Sequence, residues 1–180
     1  MTKRFISFDN KKHKYFEFSN YYPFNFELNI KNNYTKKNEL IKFHSIIQYY
    51  YSEKFNANNK TSQKYRNYIL KTDSPKKCFL LGKLRKFMFN WPINSKSKIT
   101  IYDLIDKYKN KVQKRLNWKN IRIKILLKGL RIKFNDNKLK ELLLSTGDKP
   151  IVENTTGVWS FKNNLLGNCL MIIRNELTSN

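Results

Sequence analysis

The side chains from which most enzymes build their chemistry are scarce in this chain of 180 residues, which holds two cysteines and two histidines. Cys78 and Cys169 form no C-x-x-C pair, and with His13 and His44 they reach no usual metal-ligand spacing. Neither a structural zinc site nor a disulfide framework is encoded, and no metal is expected. No Gly-rich phosphate loop, G-x-S-x-G elbow or H-E-x-x-H helix occurs. His44 falls among Phe43, Ile46 and Ile47 in a stretch with helical spacing. It reads as a packed or partly exposed histidine rather than a general base. Cys169, within LLGNCLM, reads as a core residue rather than a nucleophile. No cofactor is implied.

Charge is the other chemical feature on view. Lys and Arg total 37 against 13 Asp and Glu, a net charge of +24, and such an excess draws phosphates. Thirty of the 37 are Lys, spread along the whole chain, and Asn occurs 24 times, a bias that AT-rich codons produce without selection for binding. Arg, which grips phosphate bidentately, is the scarce one. A solvated basic surface is the plainer reading and a nucleic-acid groove the sharper one. Apolar residues at 40% and aromatics at 15% exclude a disordered tail, and five Gly with four Pro exclude a collagen-like or linker-like chain. Unpaired cysteines fit a reducing interior. There is no apolar run of about 18 residues and no signal-type apolar stretch of roughly 7–15 behind the basic N-terminus. The expectation is therefore an intracellular protein, cytoplasmic or nucleic-acid-associated, with no membrane partner.

The elements that must position any site read as one mostly helical α+β domain with a small β-sheet, spanning 1–180, with no internal repeat. Segments 4–8 and 24–30 have strand patterns, the second with Phe24, Phe26, Leu28 and Ile30 on one side. Between them FSNYYP has turn chemistry. The spacing predicts a helix over 39–55 and another over 63–70. A third follows in SPKKCFLLGK, with Asp73 or Ser74 as cap, Pro75 at its first position and Gly82 as its stop. Residues 84–101 read as an irregular connection or insertion, and 101–114 as weakly helical. In WKNIRIKILLKGLRIKF the residues Ile123, Leu127, Leu130 and Phe134 form one apolar stripe backed by Lys119, Lys128 and Arg131. A short helix at 139–144 ends at Thr146-Gly147, 151–153 is extended, and 165–177 closes the chain as a helix with Leu166, Cys169, Leu170, Ile173 and Leu177 inward.

Four stretches taken in order carry more than composition does. They are FSNYYP at 18–23, FHSIIQYYYSEKF at 43–55, SPKKCFLLGK at 74–83, and LRIKFNDNKLKELLLSTGDKPIVE followed by VWSFKNNLLGNCLMIIRNEL. The series resembles the NADAR (YbiA-like) family. That family's pattern runs from an S-N-F turn through W-P-S-x-E-H-x-x-Q-A-x-K-F and S-P-x-x-A-x-x-x-G-R. It continues with K-F-x-x-N-x-x-L-x-x-x-L-L-x-T-G-x-x-x-L-V-E, a W-G loop and N-x-L-G-x-x-L-M-x-x-R. In the last blocks Phe134, Leu139, Leu143, Thr146, Glu153, Trp159, Asn164, Gly167, Leu170, Met171 and Arg174 fall in register. Many of these are core positions, so they speak for fold more than for activity.

The resemblance implies cleavage of N-glycosidic bonds in ribosyl intermediates of the riboflavin pathway or in ADP-ribosylated bases. Such a reaction needs carboxylates, one to steady an oxocarbenium-like sugar and one to take a proton from water. The family pattern puts them on the first long helix and just after the tryptophan of the W-G loop. Here those positions are Ile47 and Phe161, Gln48 follows where the pattern has His, and the loop reads Trp159-Ser160-Phe161 and is shorter. Neither apolar side chain accepts a proton or screens a cation. Glu53 lies about 240° around the helix from Ile47 and faces elsewhere.

The pocket that the resemblance retains consists of Trp159, Lys54, Tyr51, Asn20 and Glu153. Trp159 can stack on a base or sugar, or anchor its loop. Lys54, on the same helix face as Tyr51, can meet a phosphate, or be the solvated end of a basic helix. Asn20 can bond a ribose hydroxyl or close its own turn, and Glu153 reads as structural, pairing or capping a buried group. The reading that follows is a diverged family member without N-glycosidase chemistry, a basic binding or structural module for nucleic acid or a protein partner. Its alternative is an active N-glycosidase on an ADP-ribosyl base or a ribosylamino-pyrimidine phosphate, with Glu153, Glu17 or Asp148 in the acidic role. The small molecule that the resemblance implies is an ADP-ribose-like or ribosyl-phosphate ligand.

Overall fold

The computed structural model describes residues 5–9, 14–84, 100–154 and 164–179. Its frame is a helix buried on every side, α1 (Ile46–Lys54), in which all residues from Ile46 to Glu53 are out of solvent. A helix without a solvent-exposed face must be wrapped by other elements. Around it pack α2 (Lys60–Leu70), α3 (Pro75–Lys83) and α5 (Trp118–Lys133), with the strand β3 (Asn38–Phe43) leading into it. Two pairs of strands flank this assembly. β2 (Phe26–Lys31) and β3 form an antiparallel hairpin, Phe26 opposite Phe43 and Lys31 opposite Asn38. β1 (Ile6–Phe8) and β4 (Ile151–Glu153) pair in parallel, with Ile6 opposite Ile151 and Phe8 opposite Glu153. The remaining helices are α4 (Ile101–Tyr108), α6 (Asn137–Leu144) and α7 (Leu165–Thr178). Among the described residues the protein is mostly helical with small sheets, in one domain, and no helix is long and apolar enough to cross a membrane.

Aromatic rings make up much of the core. Phe26 and Phe43 stack at 5.3 Å, and Tyr49 of α1 meets both edge-on at 5.9 and 5.3 Å. Tyr50 reaches Trp118 of α5 at 4.9 Å. These offset and T-shaped contacts let the negative face of one ring meet the positive edge of another.

Four local expectations change on inspection. Residues 39–43 belong to β3 and not to the first helix, because their backbone groups pair with β2, a partner that local spacing cannot reveal. The second helix starts at Lys60, three residues early, where the Asn59 side chain accepts the Ser62 N–H at 2.8 Å. Gly82 lies inside α3, whose end is Leu84 in the left-handed region at φ 54°. A β-carbon at Gly82 would come within 2.1 Å of Cγ of Tyr51, so the glycine serves close packing of α3 on α1. The inward face of α5 carries Trp118, Leu126, Gly129, Leu130 and Lys133, while Ile123 is exposed. Gly129 lets α5 approach Tyr49 and Ile46, and an apolar count cannot register a glycine or a lysine as core. Of the 84–101 segment, residues 85–99 lie outside the described residues, and Thr100 caps α4 with its hydroxyl and with the Asp103 carboxylate.

Candidate functional site

The turn at 18–22 is the meeting point of four elements. Ser19 and Asn20 are buried. The Ser19 hydroxyl accepts the Tyr21 N–H at 3.1 Å and the Ser19 carbonyl accepts the Tyr22 N–H at 3.2 Å, closing the turn locally. Two bonds from elsewhere fix it in place. The Ile47 N–H, one of the unsatisfied donors in the first turn of α1, donates to the Asn20 carbonyl at 3.1 Å. Nζ of Lys133, from the end of α5, donates to the Ser19 carbonyl at 2.8 Å.

Lys133 is fully buried, with its ammonium over the rings of Tyr22 (5.2 Å) and Phe134 (5.5 Å). Burial lowers its pKa to about 7, opposed by the charge of Glu17. Sequence reasoning missed this residue. The signal was its place three residues after Leu130 on the apolar side of the helix, directly before Phe134.

On the other side of the turn, Tyr21 faces Phe79 at 5.9 Å between ring centroids. Burial pushes its phenol well above the ordinary range, and Tyr51, Glu153 and Cys78 push it in the same direction. Tyr51 in turn lies edge-on to Phe79 at 6.3 Å and against Gly82. Glu153 is buried on β4, and its N–H donates to Oδ1 of Asn164 at 3.1 Å, while Nδ2 of Asn164 donates to the Ile151 carbonyl at 2.8 Å. The structure thus gathers Asn20, Tyr51 and Glu153 around Tyr21, with Phe79 and Cys78 beside them. Oδ1 of Asn20 is buried and accepts no hydrogen bond from the described residues. Trp159 and Phe161 lie outside the described residues.

The positions where the family pattern has Glu and His are both committed to packing. Ile47 is 5% exposed. Gln48 is buried, donating from Nε2 to the carbonyls of Ile69, Leu70 and Thr72 at 3.0–3.2 Å and accepting the His44 N–H at 3.0 Å. It thereby satisfies the last carbonyls of α2. His44 sits in the bend before α1, not on it. Its Nε2 donates to the Thr72 carbonyl at 2.8 Å, which leaves Nδ1 to accept from the Ser45 hydroxyl at 3.1 Å. Glu53 is buried away from this region, paired with Arg115 and accepting from Asn56 at 3.0 Å.

Lys54 is not the solvated end of a helix. Its Nζ donates to the Gly82 carbonyl at 2.5 Å, and it lies over the rings of Phe55 (5.1 Å) and Tyr51 (5.5 Å). Burial first, then the like charges of Lys114 and Lys83, lowers its pKa to about 7. Of the other acids, Asp148 is exposed and Glu17 half-buried. Among the described residues no cluster of three or more His, Cys, Asp or Glu is placed to hold a metal ion. Cys78 and Cys169 are buried thiols, and burial pushes them up to about 12 and about 11, which removes thiolate chemistry at neutral pH.

Chemically, the region offers one buried acceptor (Asn20), one buried carboxylate (Glu153), aromatic walls and two lysines that titrate near neutrality. The family model described as NADAR domain matches residues 7–178. Among solved structures the chain is similar to the NMR structure of the E. coli protein YbiA, with 22% identity and a TM-score of 0.63 over 99% of this chain and 88% of that one. No curated protein matches.

Proposed function

The chain belongs to the NADAR family, and on that premise we propose that it is a binding member that has given up N-glycosidic cleavage. One observation carries the proposal: Ile47 is a packed residue of α1 at the position of the helix acid, with its N–H held by Asn20 and its neighbour Gln48 engaged in ending α2. An apolar side chain there neither lowers the energy of an oxocarbenium-like sugar nor accepts a proton from water. What the region keeps is suited to recognition. Asn20 has an acceptor to offer a hydroxyl or amino group, Tyr21 and Tyr51 offer ring faces and edges, and Lys54 offers a cation. The ligand class is ADP-ribose-like or ribosyl-phosphate, and the +24 charge adds a general attraction to polyanions.

A second reading has its own observation. Glu153 is a buried carboxylate next to Tyr21 on the strand that leads to 155–163, the segment carrying Trp159. In that reading Glu153 takes the acidic role and the chain is an N-glycosidase.

One assay separates the two. The protein is incubated with an ADP-ribosylated guanine oligonucleotide and, separately, with a ribosylamino-pyrimidine phosphate, and free ribosyl product is measured against a Trp159→Ala control. A binding member gives no release above that control, yet ADP-ribose raises its melting temperature with concentration. Release that disappears in Glu153→Gln establishes the hydrolase instead.

A further inference from the structure

The outer side of α2 carries charge of one sign only. Its sequence KTSQKYRNYIL holds no acid. Lys60, Lys64, Asn67 and Lys71, at offsets of four, three and four, form one exposed stripe from its first residue to its C-cap. The inner side is made by Ser62, Gln63, Tyr65, Arg66 and Ile69, so packing asks nothing of these lysines. Lys60 and Lys64 are like charges one turn apart, and Lys60 stands at the positive end of the helix dipole. Both arrangements work against the helix, and both are relieved by an anionic partner.

Two sets of contacts bring a second basic segment against the stripe. Oγ of Ser62 donates to the Gln113 carbonyl at 3.0 Å and accepts the Gln113 N–H at 2.8 Å, while Nδ2 of Asn59 donates to Oε1 of Gln113 at 3.2 Å. These bonds dock the 109–117 connection on the first turn of α2 and bring Lys111 to that end of the stripe. Further along, Tyr68 lies 5.8 Å from Tyr108, the last residue of α4, and Lys107 lies 5.7 Å from the same Tyr108 ring. Lys107 and Lys111 are both exposed, and no acid occurs between them and Asn135.

The carboxylates nearby are engaged by other cations. Glu39 pairs with the buried Arg66, and the buried Glu53 pairs with Arg115. Asp73, just beyond Lys71, is held by Lys77, and Asp106, beside Lys107, by Lys109. Among the described residues no carboxylate pairs with Lys60, Lys64, Lys71, Lys107 or Lys111. Charge is compensated on the inner side of the assembly and left standing on the outer side.

We propose that this face, with Lys60, Lys64 and Lys71 as its rail and Lys107 and Lys111 beside it, takes the phosphate backbone of a nucleic acid. Lysines one turn apart are separated by about 6 Å along the helix, a step comparable to that between successive phosphates of a strand. The stripe is about 16 Å long, which suits a regular, extended array of charges. It carries no apolar side chain to enter a bilayer. Lysine meets phosphate as a point charge, so the face positions a strand without reading its bases. The inference goes beyond the small-ligand reading and holds whether or not the chain cleaves a glycosidic bond.

The test compares two variants that lose the same charge from different places. Lys60→Gln/Lys64→Gln/Lys71→Gln empties the rail, and Lys124→Gln/Lys128→Gln/Lys138→Gln removes exposed lysines of α5 and α6. A third, Lys107→Gln/Lys111→Gln, reports on the same face without touching α2. Binding of the full chain to labelled single-stranded and duplex oligonucleotides is followed by anisotropy from about 50 to about 300 mM salt. Emptying the rail should make the slope of log affinity against log salt shallower by about 2–3 and lower affinity at the lowest salt about tenfold or more. The Lys107/Lys111 variant should lose about 1–2 of slope, and the α5/α6 variant less than about 1. Equal losses in the two triple variants overturn the proposal, because net charge alone then sets the affinity. A Lys107/Lys111 variant that binds like the parent overturns the shared face, even where the α2 variant fails to fold. Loss of binding to phosphatidylserine vesicles in the α2 variant, with oligonucleotide binding unchanged, assigns the face to a lipid surface and overturns it as well.

Discussion

Lys133 puts a cation in the middle of an aromatic core and satisfies it with a single carbonyl, that of Ser19. Lys133 and Lys54 both have their pKa lowered to about 7 from 10.5. Between those two values the unfolded chain holds protons that the folded chain has released, so stability rises with pH from neutrality upward. The buried thiols act in the opposite sense. Cys78 is pushed up to about 12 and Cys169 to about 11 from 9.0, so above pH 9 the unfolded chain loses protons first and stability falls. Urea denaturation across pH should therefore show a maximum in the free energy of unfolding between about pH 9 and about pH 10, where the thiol loss overtakes the lysine gain. Lys133→Met should flatten the rising limb. A curve for that variant parallel to the parent's would mean that Lys133 does not titrate there. A second residue-scale prediction concerns Glu53, whose buried carboxylate is paired with Arg115. Arg115→Met leaves that charge buried without its ion partner and should cost about 3–5 kcal/mol, whereas Glu53→Gln with Arg115→Met should recover much of it. A loss in the double variant equal to the sum of the two single losses would show that the pair is not coupled.

At the scale of elements, closeness of backbones decides the architecture. α3 can lie against α1 only because Gly82 leaves room for the Tyr51 ring. Gly82→Ala, helix-favouring in itself, should lower stability by about 1–3 kcal/mol in urea denaturation because backbone and ring must move apart. Stability equal to or above the parent's would show that Tyr51 moves aside at no cost. Several elements are legible in the amino-acid sequence because their signals are local. β2 alternates, Pro75 opens α3, Asp136 caps α6, and Gly147 follows α6 at φ 53°. β3 is illegible as a strand because residues 40–43 continue the helical apolar spacing of α1, and only pairing with β2 turns them. The inner face of α5 is misread for a related reason, since Gly129 and Lys133 look like surface. The site divides the same way. Asn20, Tyr51, Lys54 and Glu153 are legible as a group only through the family pattern, whose K-F pair also falls on Lys133 without marking that lysine as buried. The burial of Lys54, too, depends on the approach of α3 and the 109–117 connection, which no helical spacing encodes.

For the molecule as a whole, the charge of +24 makes one prediction that separates general from specific binding. Affinity for duplex and single-stranded oligonucleotides, measured against salt, should fall steeply and alike for both, because Lys dominates and Arg is scarce. A strand preference that persists at physiological ionic strength would reveal a dedicated nucleic-acid surface. The family match spans 7–178 and the helical α+β fold is shared with YbiA, so the frame is common property.

The parallel pairing of β1 with β4 joins residues 6–8 to residues 151–153, far apart along the polypeptide. During synthesis Ile6 and Phe8, both buried in the finished protein, lack their β4 partner until residues 151–153 have been made. The nascent chain must therefore carry a sticky, unmatched edge across that whole interval, and completing the fold waits for ring closure rather than growing outward from the first hairpin.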